Sequence, residues 1–219
     1  MKFLLTSSGL TNQSITRALF DLVGKAPSEI VIAFIPTAMN VDEGDKGWFV
    51  DDLNNIKKQK VKYLDIVDIS ALPKEVWLPR LEAADVLFFS GGNTSHLMKC
   101  LKESGLAAIL PDMLKTRVYA GISAGSMVTN PMITLSNKDK KLYYEKVFGY
   151  SNEEGMHLVD VYIRPHLNSR FFPEVNKNYL EGMAKDFDFP IYALDDQSAI
   201  TVVDGRVEVV TEGEYLRLD

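Results

Sequence analysis

The chain turns on Val118-Tyr119-Ala120-Gly121-Ile122-Ser123-Ala124-Gly125-Ser126-Met127-Val128. An apolar strand-like run enters a corner with the pattern Gly-x-Ser-x-Gly and leaves it as the start of a helix. At such a corner the central side chain, Ser123, is pushed out above the end of a sheet. Gly121 and Gly125 carry no side chain, so strand and helix can approach closely. The helix start would aim its free N–H groups and positive dipole end at negative charge forming beside Ser123. Two readings stay open on these residues alone. One is a nucleophile elbow; the other is a nucleotide-binding or purely structural turn, where glycine only permits the bend.

Outward from the corner the chain alternates between apolar runs and helical spacing. Lys2–Thr6 is a short buried strand, and Ile15, Ala18, Leu19 and Leu22 mark a helix over Thr11–Val23 that Gly24 stops. Glu29–Ile35 is a β-branched strand ended by Pro36. A helix over Trp48–Ile56, a strand over Val61–Ile66, a helix closing at Leu81–Ala84, a strand at Val86–Phe89 and a helix over His96–Glu103 follow. Strands that are apolar on both faces belong in a mainly parallel sheet covered by helices on either side. Ala199–Val203, Asp204-Gly205 and Arg206–Val210 spell a C-terminal β-hairpin. The expectation is therefore a three-layer α/β fold, 1–219 as a single domain, without linker or repeat.

Composition narrows the function classes. A chain of 219 residues with 46% hydrophobic and 25% charged residues can bury a large core. A net charge of −6, with Lys57-Lys58-Gln59-Lys60 the densest basic patch, argues against a nucleic-acid partner. The single cysteine, Cys100, excludes an internal disulfide and a cysteine-rich metal site. The apolar run after Met1 is too short for a secretory signal, and no stretch is long enough to span a bilayer, so a cytoplasmic protein without membrane partner is expected. No metal-ligand spacing is evident.

Phe88-Phe89-Ser90-Gly91-Gly92-Asn93-Thr94 forms a second strand-to-helix turn. Loops at the carboxyl ends of strands meet at the ligand crevice of an open α/β sheet. The Gly92 amide, beside that of Ala124, would supply two donors to an oxyanion. In the plainer reading Gly91-Gly92 is only a turn, with Asn93 or Thr94 capping the next helix.

A serine nucleophile needs a base, and the chain offers three histidines. His96 sits in a helix's first turn, where the positive end disfavours its protonation. His157 follows the polar stretch Ser151–Met156. His166 follows the apolar run Leu158–Ile163 and Pro165, which places it at a strand end, so His166 is the candidate base.

Together these residues resemble the peptidase E (dipeptidase E) family of serine peptidases, with cyanophycinases as more distant relatives. Gly-Ile-Ser123-Ala-Gly, the upstream Ser-Gly-Gly92-Asn-Thr and the downstream Pro-His166 stand in that family's order and approximate spacing. The resemblance covers most of the chain. It implies a fold like the class I glutamine amidotransferases, with serine where those carry cysteine. It further implies acyl-enzyme hydrolysis of short peptides without metal or cofactor. Ser123 is then the nucleophile, His166 the base, and Gly92 and Ala124 the oxyanion hole.

The family's triad acid lies downstream of the nucleophile in a Thr-Asn-Asp type segment, which here reads Leu135-Ser136-Asn137-Lys138-Asp139. Asp139 is the expected acid, displaced by one place, with Glu145 and Asp160 behind it. Asp195-Asp196 reads as a turn before the hairpin, with a cation site or a late triad acid as alternatives. The family's Gly-Glu-Thr-Arg segment, whose arginine holds a substrate aspartate, is missing. Arg170 or Arg164 would take that role, with Asn93 as a further substrate contact. N-terminal aspartyl dipeptides, β-aspartyl peptides and non-catalytic binding of a small molecule all remain open, in a monomer or homodimer. Trp48, Phe49 and Trp77 suit a substrate wall, a dimer contact or plain core.

Overall fold

The structure is a computed structural model that describes residues 1–133, 146, 149, 154–185 and 188–219. Its centre is a seven-stranded sheet in the order β3-β2-β4-β5-β1-β8-β9. The strands are β1 (Lys2–Thr6), β2 (Val31–Ile35), β3 (Tyr63–Ile66), β4 (Val86–Phe89), β5 (Val118–Ile122), β8 (Ser198–Val203) and β9 (Arg206–Thr211). β3, β2, β4, β5 and β1 run parallel. β8 joins β1 antiparallel, and β9 follows as the expected hairpin with Asp204 and Gly205 both at positive φ in its turn.

The parallel strands are apolar throughout because both faces are covered. Leu4, Ile32, Phe34, Phe88 and Ala120 point to one side, against Ile15 and Leu19 of α1 (Gln13–Val23) and Ile56 of α2 (Gly47–Lys58). The alternate residues Phe3, Leu5, Leu87, Phe89 and Tyr119 face the other way. They meet α3 (Lys74–Glu82), α4 (Thr94–Glu103) and α5 (Leu106–Met113) through Trp77, Leu97 and Leu110. Trp77 is only 1% exposed, so it belongs to the core and not to a substrate wall. Truncating a side chain buried so completely costs about 3–5 kcal/mol. α1 starts at an Asn12 cap and ends at Gly24, whose φ of 72° closes the helix as the sequence predicts.

A second sheet, absent from the sequence reading, has the order β10-β7-β6. β6 (Tyr162–Pro165) and β7 (Ile191–Leu194) are parallel, and β10 (Tyr215–Leu218) pairs antiparallel with β7. Leu167, Val175, Ala193 and Leu180 of α7 (Lys177–Ala184) form its own apolar cluster. The two sheets are stitched by Asn130, just beyond α6 (Ala124–Met127). Its buried amide accepts from Ile163 N–H at 2.9 Å and donates to Ile163 C=O at 3.1 Å. That double bond sets where β6, and therefore the residue after it, lies relative to the Ser123 corner. No helix among the described residues is long and apolar enough to cross a membrane.

Candidate active site

The corner at Ser123 is built as the sequence implies. Ser123 has φ 46° and ψ −103°, a conformation a side chain rarely adopts, costing about 1–3 kcal/mol and held only by its surroundings. Its N–H donates to Thr6 C=O at 3.1 Å, and Gly125 N–H donates to Ser90 C=O at 3.1 Å. The fully buried Tyr119 hydroxyl donates to Gly125 C=O at 2.5 Å, while its ring stacks on Phe89 at 4.7 Å. A β-carbon on Gly125 would overlap the Phe89 carbonyl, and one on Gly121 would overlap Gly125. Only glycine permits this approach of strand and helix.

Ser123 Oγ lies 2.9 Å from His166 Nε2. His166 sits directly after β6, at φ 66°, with its N–H donating to Ser7 Oγ at 2.9 Å. Its Nδ1 is 2.8 Å from Asp196 Oδ1. The carboxylate fixes the tautomer: Nδ1–H donates to Asp196, leaving the Nε2 lone pair to accept the Ser123 hydroxyl proton. Asp196 also accepts from Ser8 Oγ at 2.7 Å and Ser7 Oγ at 3.0 Å. The hydrogen bond from His166 is the largest cause holding its carboxyl down at about 2; burial opposes this and the Ser8 hydroxyl assists it. Phe172 closes the arrangement, lying parallel to the His166 ring at 4.5 Å.

The carboxylate that meets His166 Nδ1 is Asp196, not one of the three acids put first from the sequence. Asp139 and Glu145 lie outside the described residues. Asp160 accepts from His157 Nε2 at 3.0 Å on an exposed surface. The position at Nδ1 is held by Asp196, from the loop between β7 and β8. Its neighbour Asp195 makes the turn that the sequence suggested, accepting from Ser198 Oγ, Gln197 N–H and Glu214 N–H. Among the described residues no group of three His, Cys, Asp or Glu could hold a metal ion.

The glycine pair is in place beside the serine. A β-carbon on Gly91 would lie 3.6 Å from Ser123 Cβ. Gly92 has φ 129° and is pressed against the Ala38 carbonyl, where no side chain fits. Among the described residues, neither the Gly92 nor the Ala124 amide donates to a protein acceptor. Both remain available to an anion at the corner.

The three candidate substrate contacts fare differently. Asn93 is buried and works as the cap of α4: its Oδ1 accepts from His96 N–H at 2.9 Å and its Nδ2 donates to Asp42. That is the plainer of the two sequence readings. Arg170 is exposed, with its guanidinium over the Phe171 ring at 4.6 Å. Arg164 is buried within β6, and its Nε has no hydrogen-bond partner. His96 touches Cys100 Sγ at 3.5 Å, and burial lowers its basicity, in keeping with a packing role. Sequence reasoning missed Ser7, Ser8 and Phe172. The hydroxyl pair directly after β1 was the available signal for the first two.

Comparison with known proteins finds relatives among peptidases. The model of peptidase family S51 matches residues 3–210. An uncharacterized peptidase of Pasteurella multocida is 28% identical over 172 residues, covering 78% of this chain and 80% of that one. A peptidase E of Nostoc sp. is 28% identical over 136 residues, 59% of this chain and 54% of its own. Among solved structures, a peptidase E-type protein of Listeria monocytogenes superposes with a TM-score of 0.76 at 22% identity, covering 97% of this chain and 98% of that one. A peptidase from an acI-B1 actinobacterium superposes at 0.64 and 17% identity, covering 99% and 93%. At these identities the superpositions speak for the fold.

Proposed function

The chain belongs to peptidase family S51 and is a peptidase, and from that premise we propose that it cleaves short peptides through an acyl-enzyme on Ser123. The observation that carries this reading is the continuous relay Ser123 Oγ–His166 Nε2–His166 Nδ1–Asp196 Oδ1, with links of 2.9 and 2.8 Å.

In the first step His166 Nε2 takes the hydroxyl proton as Ser123 Oγ attacks the peptide carbonyl carbon. The carbonyl oxygen becomes an oxyanion facing the Gly92 and Ala124 amides, each such donor being worth about 3 kcal/mol in the transition state. The imidazolium then gives its proton to the departing amine, and the C–N bond breaks to leave the acyl ester. Water, deprotonated by the same Nε2, hydrolyses the ester and returns Ser123. Asp196 stays ionised throughout; it holds the imidazole in its working tautomer and balances the imidazolium charge.

An acid at Nδ1 answers one of the two motives for a non-catalytic binding protein, the displaced Asp139; the other, the missing Gly-Glu-Thr-Arg segment, bears on which substrate is held. An organophosphonate should label Ser123 of the wild-type protein, and both Ser123→Ala and His166→Ala should abolish labelling and peptide turnover. Labelling elsewhere, or turnover that survives Ser123→Ala, would sink the proposal.

A further inference from the structure

The segment that leaves β1 touches every member of the relay. Thr6 C=O accepts from Ser123 N–H at 3.1 Å and from Ser126 Oγ at 2.8 Å, which ties it to the nucleophile's corner. Ser7 Oγ and Ser8 Oγ donate to Asp196 Oδ1, and Thr11 Oγ1 donates to Asp196 C=O at 2.9 Å. Of these side chains, Ser7 is the one that meets two members at once. Its hydroxyl has one proton and two lone pairs. The proton goes to Asp196 at 3.0 Å, and a lone pair receives His166 N–H at 2.9 Å.

That arrangement answers a physical problem. His166 follows β6 of the second sheet, whereas Ser123 follows β5 of the first, so base and nucleophile stand on separate frames. At φ 66° the His166 backbone occupies the left-handed region, which a residue other than glycine keeps only when its surroundings hold it there. Its own N–H is the group that Ser7 receives, and the next N–H, of Leu167, donates to Leu194 C=O at 2.9 Å. Ser7 is itself fixed. It is fully buried, and its N–H donates at 3.2 Å to the carbonyl of Ser198, just past Asp196. One buried oxygen thus ties the backbone of the base to the carboxylate of the acid, from a strand that pairs with β5 in the nucleophile's own sheet.

Resting on the peptidase reading, we propose that Ser7 is a positioning residue. Its hydroxyl sets the left-handed turn at His166 and the seat of Asp196 together, so that Nδ1 meets the carboxylate and Nε2 meets Ser123 in one geometry. Ser8 serves the acid only. Without the Ser8 hydroxyl, Asp196 Oδ1 keeps its bonds from Ser7 and His166, and the imidazole keeps its backbone hold. Without the Ser7 hydroxyl, His166 N–H has no acceptor, which favours another backbone conformation there and draws the ring away from both partners.

The test reads the rate at which an organophosphonate labels Ser123 across a pH series. Wild type, Ser7→Ala and Ser8→Ala are compared, with thermal melts confirming that each is folded at the labelling temperature. Ser7→Ala should label roughly 10- to 100-fold more slowly at its plateau, the scale of a misplacement of about 1 Å. Ser8→Ala should lose much less. Half-maximal labelling of Ser7→Ala should also move to lower pH, because an imidazole drawn away from Asp196 loses the charge that favours its protonated form. If the hydroxyl served only to bond the carboxylate, its loss would strengthen the charge beside the imidazole and move the half-maximum up. An unmoved or raised half-maximum, or equal losses in the two variants, overturns the proposal. Should Ser7→Ala not fold, Ser7→Cys, which keeps the shape and bonds only weakly, is read by the same two criteria. Failure of wild type to label at Ser123 removes the peptidase reading and this proposal with it; normal labelling of Ser7→Ala removes this proposal alone.

Discussion

The Phe172 ring lies flat against the His166 imidazole, centroids 4.5 Å apart and planes 13° from parallel. Phe172 is anchored from behind by the apolar cluster of Leu167, Val175 and Leu180. The aromatic face therefore both limits rotation of the imidazole and stabilises the positive charge it gains as Ser123 attacks. A π-face beneath a cation contributes about 0.5–2 kcal/mol. Phe172→Leu should lower kcat roughly 2- to 30-fold on that scale with KM nearly unchanged, and Phe172→Tyr should restore most of the loss. A general packing defect would instead raise KM or leave Tyr no better than Leu.

Asp196 offers a sharper discrimination, because two carboxyls compete for one role. Asp196→Asn keeps the shape but supplies the wrong partner for Nδ1, and kcat should fall by about 10³–10⁴, against a small effect for Asp139→Asn. The sign of the pH effect follows from its carboxyl lying at about 2, below the ordinary 3.8. The folded state favours the ion, so the contribution is present above about pH 4 and is lost as pH falls through about 2. No titration of Asp196 should therefore enter the activity profile above pH 4. Full activity in Asp196→Asn would remove it from the mechanism.

How much of this was legible beforehand depends on how local each signal was. Ser123, Gly92 and His166 each follow a contiguous apolar strand, and parallel strands gather their carboxyl-terminal loops by geometry. Asp196 arrives from a loop joining the two sheets, 30 residues beyond His166, and nothing in its own neighbourhood distinguishes it from Asp195. The pair does divide into a turn-former and an acid, but only the hydroxyls of Ser7 and Ser8 reveal which is which. The second sheet escaped notice because β6, β7 and β10 are four residues each. β10 also leaves Tyr215 and Arg217 exposed, so its pattern resembles a solvated tail. Asn93 was readable either as ligand contact or as cap. The cap prevails because the first N–H groups of α4 would otherwise lack an acceptor.

The corner glycines give a stability contrast. Gly125→Ala drives a β-carbon into the Phe89 carbonyl, and backbone on both sides must shift, at about 3 kcal/mol or more. Gly182 lies inside α7 with nothing within 4 Å of its β-carbon position. Alanine there favours the helix by about 0.5–1 kcal/mol. Thermal melts should show Gly125→Ala lowered by roughly 10 °C, at about 2–4 °C per kcal/mol for a chain of this length, and Gly182→Ala slightly raised. Equal, small changes at both positions would mean that the strand and helix are not in close contact at the elbow.

Asp52 makes a pH-dependent prediction that needs no substrate. Its carboxyl lies at about 7 in the folded chain, against an ordinary 3.8. Below about pH 4 the group is protonated whether the chain is folded or not, and it leaves stability untouched. Between about pH 4 and 7 the unfolded chain releases the proton while the folded chain keeps it. Stability therefore falls as pH rises, by up to about 1.4 kcal/mol per pH unit. Above 7 the buried charge is a constant penalty. Asp52→Asn carries no titrating proton, so its Tm should match the wild type near pH 3.5, rise above it at pH 6, and exceed it by several degrees at pH 8. Because the site is almost fully buried, added salt should change this gap little. A Tm difference that is the same at all three pH values would show that the carboxyl titrates normally and that the side chain is solvated.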